Sequence, residues 1–142
     1  MTYDVVLIPT DGSTESIDAG EKGLGLAEAL GAEVHVLSVV DAEATAMTMH
    51  TGATEEQRRR LRDRAEENAG RLADKARERG LEVVELVEIG VPADKIAEYA
   101  EENADIIVMG TRGRSGVERA LLGSVTDKVV RTSPVPVVTV SP

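Results

Sequence analysis

A chain of 142 residues without a cysteine can bury one core but can hold neither a disulfide framework nor a thiolate metal site or nucleophile. A net charge of −10 argues against a nucleic-acid partner, which would need clustered Lys and Arg, and Tyr3 and Tyr99 as the only aromatics exclude a stacking platform for bases. Met1-Thr2-Tyr3-Asp4 leads directly into a strand with no signal peptide, and no apolar run approaches a bilayer span, so a cytoplasmic protein that binds no membrane is expected.

Tyr3 to Pro9 reads as a first strand, apolar on both faces at its centre, Val5 to Ile8. It runs into Pro9-Thr10-Asp11-Gly12-Ser13, a turn rich in helix-capping residues. Thr14 to Leu30 is the first helix, with Ile17, Gly20, Leu24, Ala27 and Leu30 on its inner face. Gly20, Gly23 and Gly25 within it should each cost about 1 kcal/mol against alanine; either they let the helix lie close on a sheet or they are tolerated surface glycines. Gly31 closes that helix and Val34 to Val40 is a second strand, in which His35 is read as a structural residue. Asp41 to Ala53 is polar and unpatterned, a loop or lid carrying Met47 and Met49.

Thr54 with Gln57 forms a capping box that opens a long helix ending at Gly80. Leu61, Ala65, Asn68, Leu72 and Ala76 mark its inner face and the Arg/Glu clusters a solvated one. Leu81 to Ile89 alternates more than the other strands, which suits a sheet edge. Gly90-Val91-Pro92 turns into a helix with Pro92 in its first turn and Ile96, Ala97 and Ala100 on its buried side, ending at Asn103.

Asp105 to Met109 is a β-branched apolar run, stopped by Gly110 and followed by Gly113, Gly116 and Gly123. Ser124-Val125-Thr126-Asp127 then has the pattern of a helix N-cap, with the helix running to Arg131. A strand, a glycine loop and a helix start together make a phosphate cradle, because backbone N–H groups approach an anion unobstructed and the helix dipole favours it. Residues 107–131 carry Arg112, Arg114, Arg119, Lys128 and Arg131 against Glu118 and Asp127, so positive charge is concentrated beside the glycines of an acidic protein. Pro134-Val135-Pro136 leads to a last strand, Val137 to Val140. Alternating strands and helices imply one α/β domain, a parallel sheet with helices on both faces, with ligands bound where the strand order reverses.

The spacing Gly110-x2-Gly113-x9-Gly123-Ser124, flanked by Ile107-Val108-Met109 and Leu121-Leu122, resembles the nucleotide-binding signature of the universal stress protein family in its ATP-binding branch. The resemblance runs from Tyr3 to Val140 and implies a universal stress protein domain over residues 1–142. It also implies a Rossmann-like, adenine-nucleotide hydrolase-like fold, an open five-stranded sheet of order 3-2-1-4-5 that sets Asp11 opposite the Gly110 loop. The ligand it implies is ATP or another adenine nucleotide, with magnesium or manganese held through the phosphates. Pro9, Thr10 and Asp11 match the segment that meets adenine and ribose, with the Asp11 carboxylate accepting from the ribose hydroxyls. Val39 matches an adenine contact, Met109 and Gly110 the segment beside ribose and phosphates, Gly113 the phosphate loop, and Gly123, Ser124 and Val125 the donors to the distal phosphates. The family also implies a regulatory homodimer in the stress response, paired through the edge strand Val137 to Val140.

No Gly-x4-Gly-Lys-Ser/Thr motif occurs, and the glycine loop holds no evident base for water, so binding with little or no turnover is the leading reading. A slow ATPase or nucleotide-transferring enzyme is the alternative, although the turn from Pro9 to Ser16 lacks the Ser-Gly-Gly start of pyrophosphate-cleaving relatives; a nucleotide-free interaction module is the other. Twelve of the 16 basic residues are arginine, and acid excess with few lysines is expected of a high-salt cytoplasm, such as that of a halophilic archaeon, where screening relieves self-repulsion. The thermal unfolding midpoint should therefore rise between low and molar potassium chloride; a midpoint that is flat across that range would refute the assignment.

Overall fold

The computed structural model describes residues 2–41, 54–112 and 122–141. Nine elements follow in order: β1 (Val5–Pro9), α1 (Thr14–Leu30), β2 (Glu33–Asp41), α2 (Glu55–Glu78), β3 (Val83–Gly90), α3 (Pro92–Asn103), β4 (Ile106–Gly110), α4 (Ser124–Thr132) and β5 (Val137–Val140). The five strands form one parallel sheet of order β3-β2-β1-β4-β5. The expected fold class and strand order are both present.

Apolar residues on successive positions of the central strands feed two separate cores, because neighbouring side chains point to opposite faces. Val6, Ile8, Val34, Val36, Ile106 and Val108 pack on one face against α1 and α2, through Leu24, Ala27, Leu72 and Ala76. Leu7, Leu37, Ile107 and Met109 pack on the other against α3 and α4, through Ile96, Ala100 and Val129. Register brings like positions together: Leu7 pairs with both His35 and Ile107. β1 starts at Val5 rather than Tyr3 because the N–H groups of Asp4 and Val5 donate to the Asp105 carboxylate, at 2.9 and 3.0 Å. That carboxylate thereby fastens the entry of β1 to the entry of β4.

Capping sets the helix ends. The Ser13 hydroxyl accepts from Ser16 N, and Gly31 closes α1 in the left-handed region at φ 67°. Thr54 and Gln57 form the reciprocal capping box of α2, and Gly80 follows it at φ 76°. The buried face of α1 is rotated from the sequence expectation: Ser16, Ala19, Gly20, Gly23, Leu24 and Ala27 are buried, Ile17 is half-buried and Leu30 is exposed. Apart from Leu24 the buried residues are small, because the helix lies close to its neighbours. A Cβ on Gly20 would stand 2.7 Å from Leu72 Cδ2, and one on Gly23 2.8 Å from Ile8 Cδ1 and 3.2 Å from Val108 Cγ1.

His35, inside β2, is hydrogen-bonded through Nδ1 to the Tyr99 hydroxyl of α3 at 2.6 Å, and its Nε2 lies 3.2 Å from Glu33 Oε1. Burial, with the nearby Glu33 and Glu88 charges, raises the Tyr99 phenol above its ordinary 10.0. Lys75–Glu21 and Arg79–Glu28, each at 2.8 Å, link α2 to α1 at the surface, and the Lys75 hydrogen bond lowers the Glu21 carboxyl. No helix among the described residues is long and apolar enough to cross a membrane.

The three glycines of α1 are therefore not equivalent. Gly25, whose nearest neighbour to an added Cβ is Arg79 Nη1 at 3.9 Å, should gain about 0.5–1 kcal/mol on replacement by alanine. Gly23→Ala should lose about 1–3 kcal/mol from overpacking against two buried strands, and urea unfolding of both variants separates the signs.

Candidate functional site

β1 connects to β2 on one side of it in the sheet, whereas β4 lies on the other, so the order reverses between β1 and β4. The loops leaving adjacent strands in opposite directions open a crevice there. In this protein that crevice is a cavity of about 710 Å³, within the range that holds a nucleotide-sized ligand.

The cavity brings together nine of the ten site residues expected from the sequence: Pro9, Thr10 and Asp11 after β1, Val39 on β2, Met109 and Gly110 at the end of β4, and Gly123, Ser124 and Val125 at the start of α4. The tenth, Gly113, lies outside the described residues, as do Gly116, Arg114, Arg119, Met47 and Met49. Asp41, expected in a loop, instead ends β2, paired with Gly90 of β3, and lines the cavity.

The first wall is the turn after β1. Thr10 N donates to Leu37 O at 2.9 Å, and the Thr10 hydroxyl accepts from Gly12 N and lies 2.8 Å from Ser16 Oγ. That hydroxyl is spent inside the protein, so Thr10 shapes the turn. Asp11 is not the cap of α1, a role held by Ser13; its Oδ1 accepts from Ser13 N at 2.9 Å. Gly12 has φ 81°, the left-handed conformation that lets so short a turn close.

The opposite wall is the start of α4. The N-cap is Gly123, not Ser124: Gly123 O already accepts from Asp127 N at 2.8 Å, and no side chain caps the helix. Ser124 is the first helical residue, so its exposed hydroxyl cannot reach back as a cap. The consequence favours a ligand, because the N–H groups of Ser124, Val125 and Thr126 precede the first helical bond and have no partner within the helix. Two bonds hold this helix start against the end of β4. Gly123 N donates to Thr111 O at 2.7 Å, and the buried Thr126 hydroxyl donates to Gly110 O at 2.8 Å. Gly110 admits no side chain easily, since a Cβ there would lie 3.2 Å from Arg112 O and 3.5 Å from Ala19 Cβ.

A third wall comes from α2, whose Leu61, Arg64, Ala65 and Asn68 line the cavity at helical spacing. The sequence marks Leu61, Ala65 and Asn68 as an inner face without saying what that face meets. Among the described residues lining the cavity, Arg64 and Arg112 are the cations and Asp11 and Asp41 the acids. Among the described residues no cluster of three or more His, Cys, Asp or Glu could hold a metal ion.

The family model of the universal stress proteins matches residues 2–141. Universal stress protein MJ0531 of Methanocaldococcus jannaschii is 38% identical over 140 residues, spanning 97% of this chain and 82% of that protein. The solved structure of hypothetical protein MJ0577 superposes with a TM-score of 0.87 at 28% identity, over 100% of this chain and 98% of that one. A universal stress protein crystallised in complex with cAMP superposes with a TM-score of 0.71 at 27% identity, over 99% and 98% of the two chains.

Two substitutions distinguish the cap from the tether at α4. Ser124→Ala should change stability by less than about 0.5 kcal/mol, as for an exposed residue that caps nothing. Thr126→Val should cost about 1–3 kcal/mol by leaving a buried carbonyl unpaired. Denaturant midpoints give both values.

Proposed function

Because the chain belongs to the universal stress protein family, we propose that it is one of the family's ATP-binding members, holding an adenine nucleotide in the cavity between β1 and β4. The carrying observation is that one cavity is lined both by Asp11 and by the first residues of α4, whose N–H groups have no partner within the helix. An acid suits the hydroxyls of a ribose, and a helix N-terminus suits its phosphates. The cAMP complex of a relative at 27% identity supports an adenine nucleotide as the ligand class.

In this reading Pro9 and Val39 flank the base, Asp11 accepts from the ribose, and Met109 and Gly110 let the sugar lie against the end of β4. Ser124 and Val125 give backbone N–H bonds to the phosphates, Gly123 keeps that approach free of a side chain, and Gly113 extends the same cradle. A magnesium or manganese ion is held through the phosphates and neutralises their charge. This reading makes the site one of binding, supported by the absence of lysine and histidine from the described residues lining the cavity. Binding with little or no turnover is the proposed activity, with nucleotide occupancy biasing conformation or partner choice in a stress response.

The regulatory unit is a cytoplasmic homodimer paired along β5. Support comes from the edge itself: Val137, Val138, Thr139 and Val140 carry no charge, and Val138 and nearby Val130 are exposed. The acid excess and scarcity of lysine support a halophilic archaeal source.

Calorimetric titration with ATP and magnesium in molar potassium chloride tests the site, using wild type and Gly123→Val, with sedimentation of the same samples. Wild type should bind as a dimer, and the variant should remain folded and lose at least tenfold in affinity, because a Cβ enters the phosphate space. Wild type that gives no heat with ATP, and sediments as one chain, would return the protein to the class of nucleotide-free interaction modules; steady phosphate release would move it to the slow ATPases.

A further inference from the structure

One side chain of the α2 wall breaks the pattern of its helix. The buried positions of α2 are Ala65, Asn68, Ala69, Leu72, Ala73 and Ala76, and Asn68 alone among them is polar, at 5% exposure. A buried carboxamide costs stability unless its hydrogen bonds are made. Those of Asn68 are specific: Nδ2 donates to the carbonyl oxygen of Asp11 at 3.2 Å, and Oδ1 accepts from Arg71 Nη2 at 2.9 Å. The orientation of the amide is forced, because a guanidinium only donates and a carbonyl only accepts. Gly12, the next residue of the turn, lies so close that a Cβ on it would overlap the Asn68 carboxamide. The turn and the helix therefore fit each other at one point.

The remaining bonds of that turn show what this contact adds. Thr10 is tied to Leu37, Ser16 and Gly12, and among the Asp11 contacts one is local, its Oδ1 accepting from Ser13 N. Asn68 joins the turn from α2, fifty-seven residues away in sequence, and its donor meets the backbone of Asp11, a residue that lines the cavity.

We propose that Asn68 is a positioning residue of the nucleotide site, which fixes the backbone of Asp11 so that its carboxylate meets the ribose hydroxyls and the protein selects ribonucleotides. The inference rests on the adenine-nucleotide reading and on Asp11 as its ribose acceptor. Arg71 completes the device by fixing which end of the amide faces the turn. A carboxylate hydrogen bond is sensitive to a few tenths of an ångström in placement, whereas the phosphate bonds at α4 do not pass through this turn. Loss of Asn68 should therefore fall on sugar recognition and leave phosphate recognition in place.

The experiment is titration of wild type, Asn68→Ala and Asn68→Asp with ATP and with 2′,3′-dideoxy-ATP, each with magnesium in molar potassium chloride. Asn68→Asp keeps the volume and gives Arg71 a carboxylate, so the helix stays packed while the donor to Asp11 is removed. Wild type should prefer ATP by roughly tenfold or more, the value of one or two hydrogen bonds to a charged acceptor. Both variants should fall to within about twofold between the two ligands, with dideoxy-ATP affinity nearly unchanged. An unaltered preference in a folded variant, or equal losses for both ligands, would overturn the proposal and leave Asn68 a packing residue. Wild type that binds both ligands equally would also overturn it. Wild type that binds neither removes the nucleotide reading itself, a separate and recognisable failure.

Discussion

Parallel pairing of β1 with β4 is the constraint on which the rest of the molecule depends. Val6 to Ile8 and Ile107 to Val108 are almost entirely removed from water, so these strands occupy the centre of the sheet, where both faces are covered. Two parallel neighbours end at the same level, and the chain must leave them for opposite sides of the sheet. The turn at Thr10–Ser13 and the segment beginning at Thr111 therefore start side by side with a gap between them. The cavity is a consequence of topology before any side chain is chosen; the side chains decide what it can hold.

What they decide is largely a matter of backbone. Thr126 binds Gly110 O and Gly123 binds Thr111 O, which draws the first turn of α4 against the end of β4, where Ser124, Val125 and Thr126 line the cavity. Across from them, α1 can approach the sheet because Ala19, Gly20 and Gly23 present little bulk. The same economy lets Gly110 lie against Ala19 and Glu15 O. A protein with almost no aromatic residues thus builds its site from close backbone approach instead of from stacked rings.

Most of this architecture is legible in the sequence because local signals and burial agree. α1 runs from Thr14 to Leu30 as expected, since Ser13 and Gly31 cap it chemically, and the Thr54–Gln57 box marks α2 equally well. The strand order is not local, and came only through resemblance to a family. The cap of α4 was misassigned because Ser-x-x-Asp describes a capping pattern whichever residue first turns helical, and here Gly123 supplies the last extended position. The inner face of α1 holds Gly20, Leu24 and Ala27 as expected but extends over Ser16, Ala19 and Gly23 in place of Ile17 and Leu30, because close packing on the sheet admits small residues that an apolar pattern does not mark. Asn68 falls among inner-face positions that are otherwise apolar, and its polarity there is the available sign that α2 meets more than a core.

The two edges of the sheet show how charge separates surfaces that hydrogen bonding alone would leave alike. An outer strand offers unpaired backbone groups on one side and is a template for another chain unless it is guarded. On β3 the guards are present: Glu85 pairs with Arg77 of α2 at 2.7 Å and Glu88 lies 3.8 Å from Lys95 of α3. The Arg77 guanidinium is held protonated even more firmly by Glu85. A second strand approaching there would meet carboxylates already engaged with their helices and would strip water from them. β5 has no such residues over its four positions, and its Val138 is exposed. For a chain with a net charge of −10, self-repulsion is the general obstacle to association, so a contact between copies is least opposed where acidic side chains are absent. High salt lowers such repulsion and leaves apolar contacts intact, so the acidic composition of this protein and the charge-free edge at β5 act on association in opposite directions at low salt and cease to oppose at high salt.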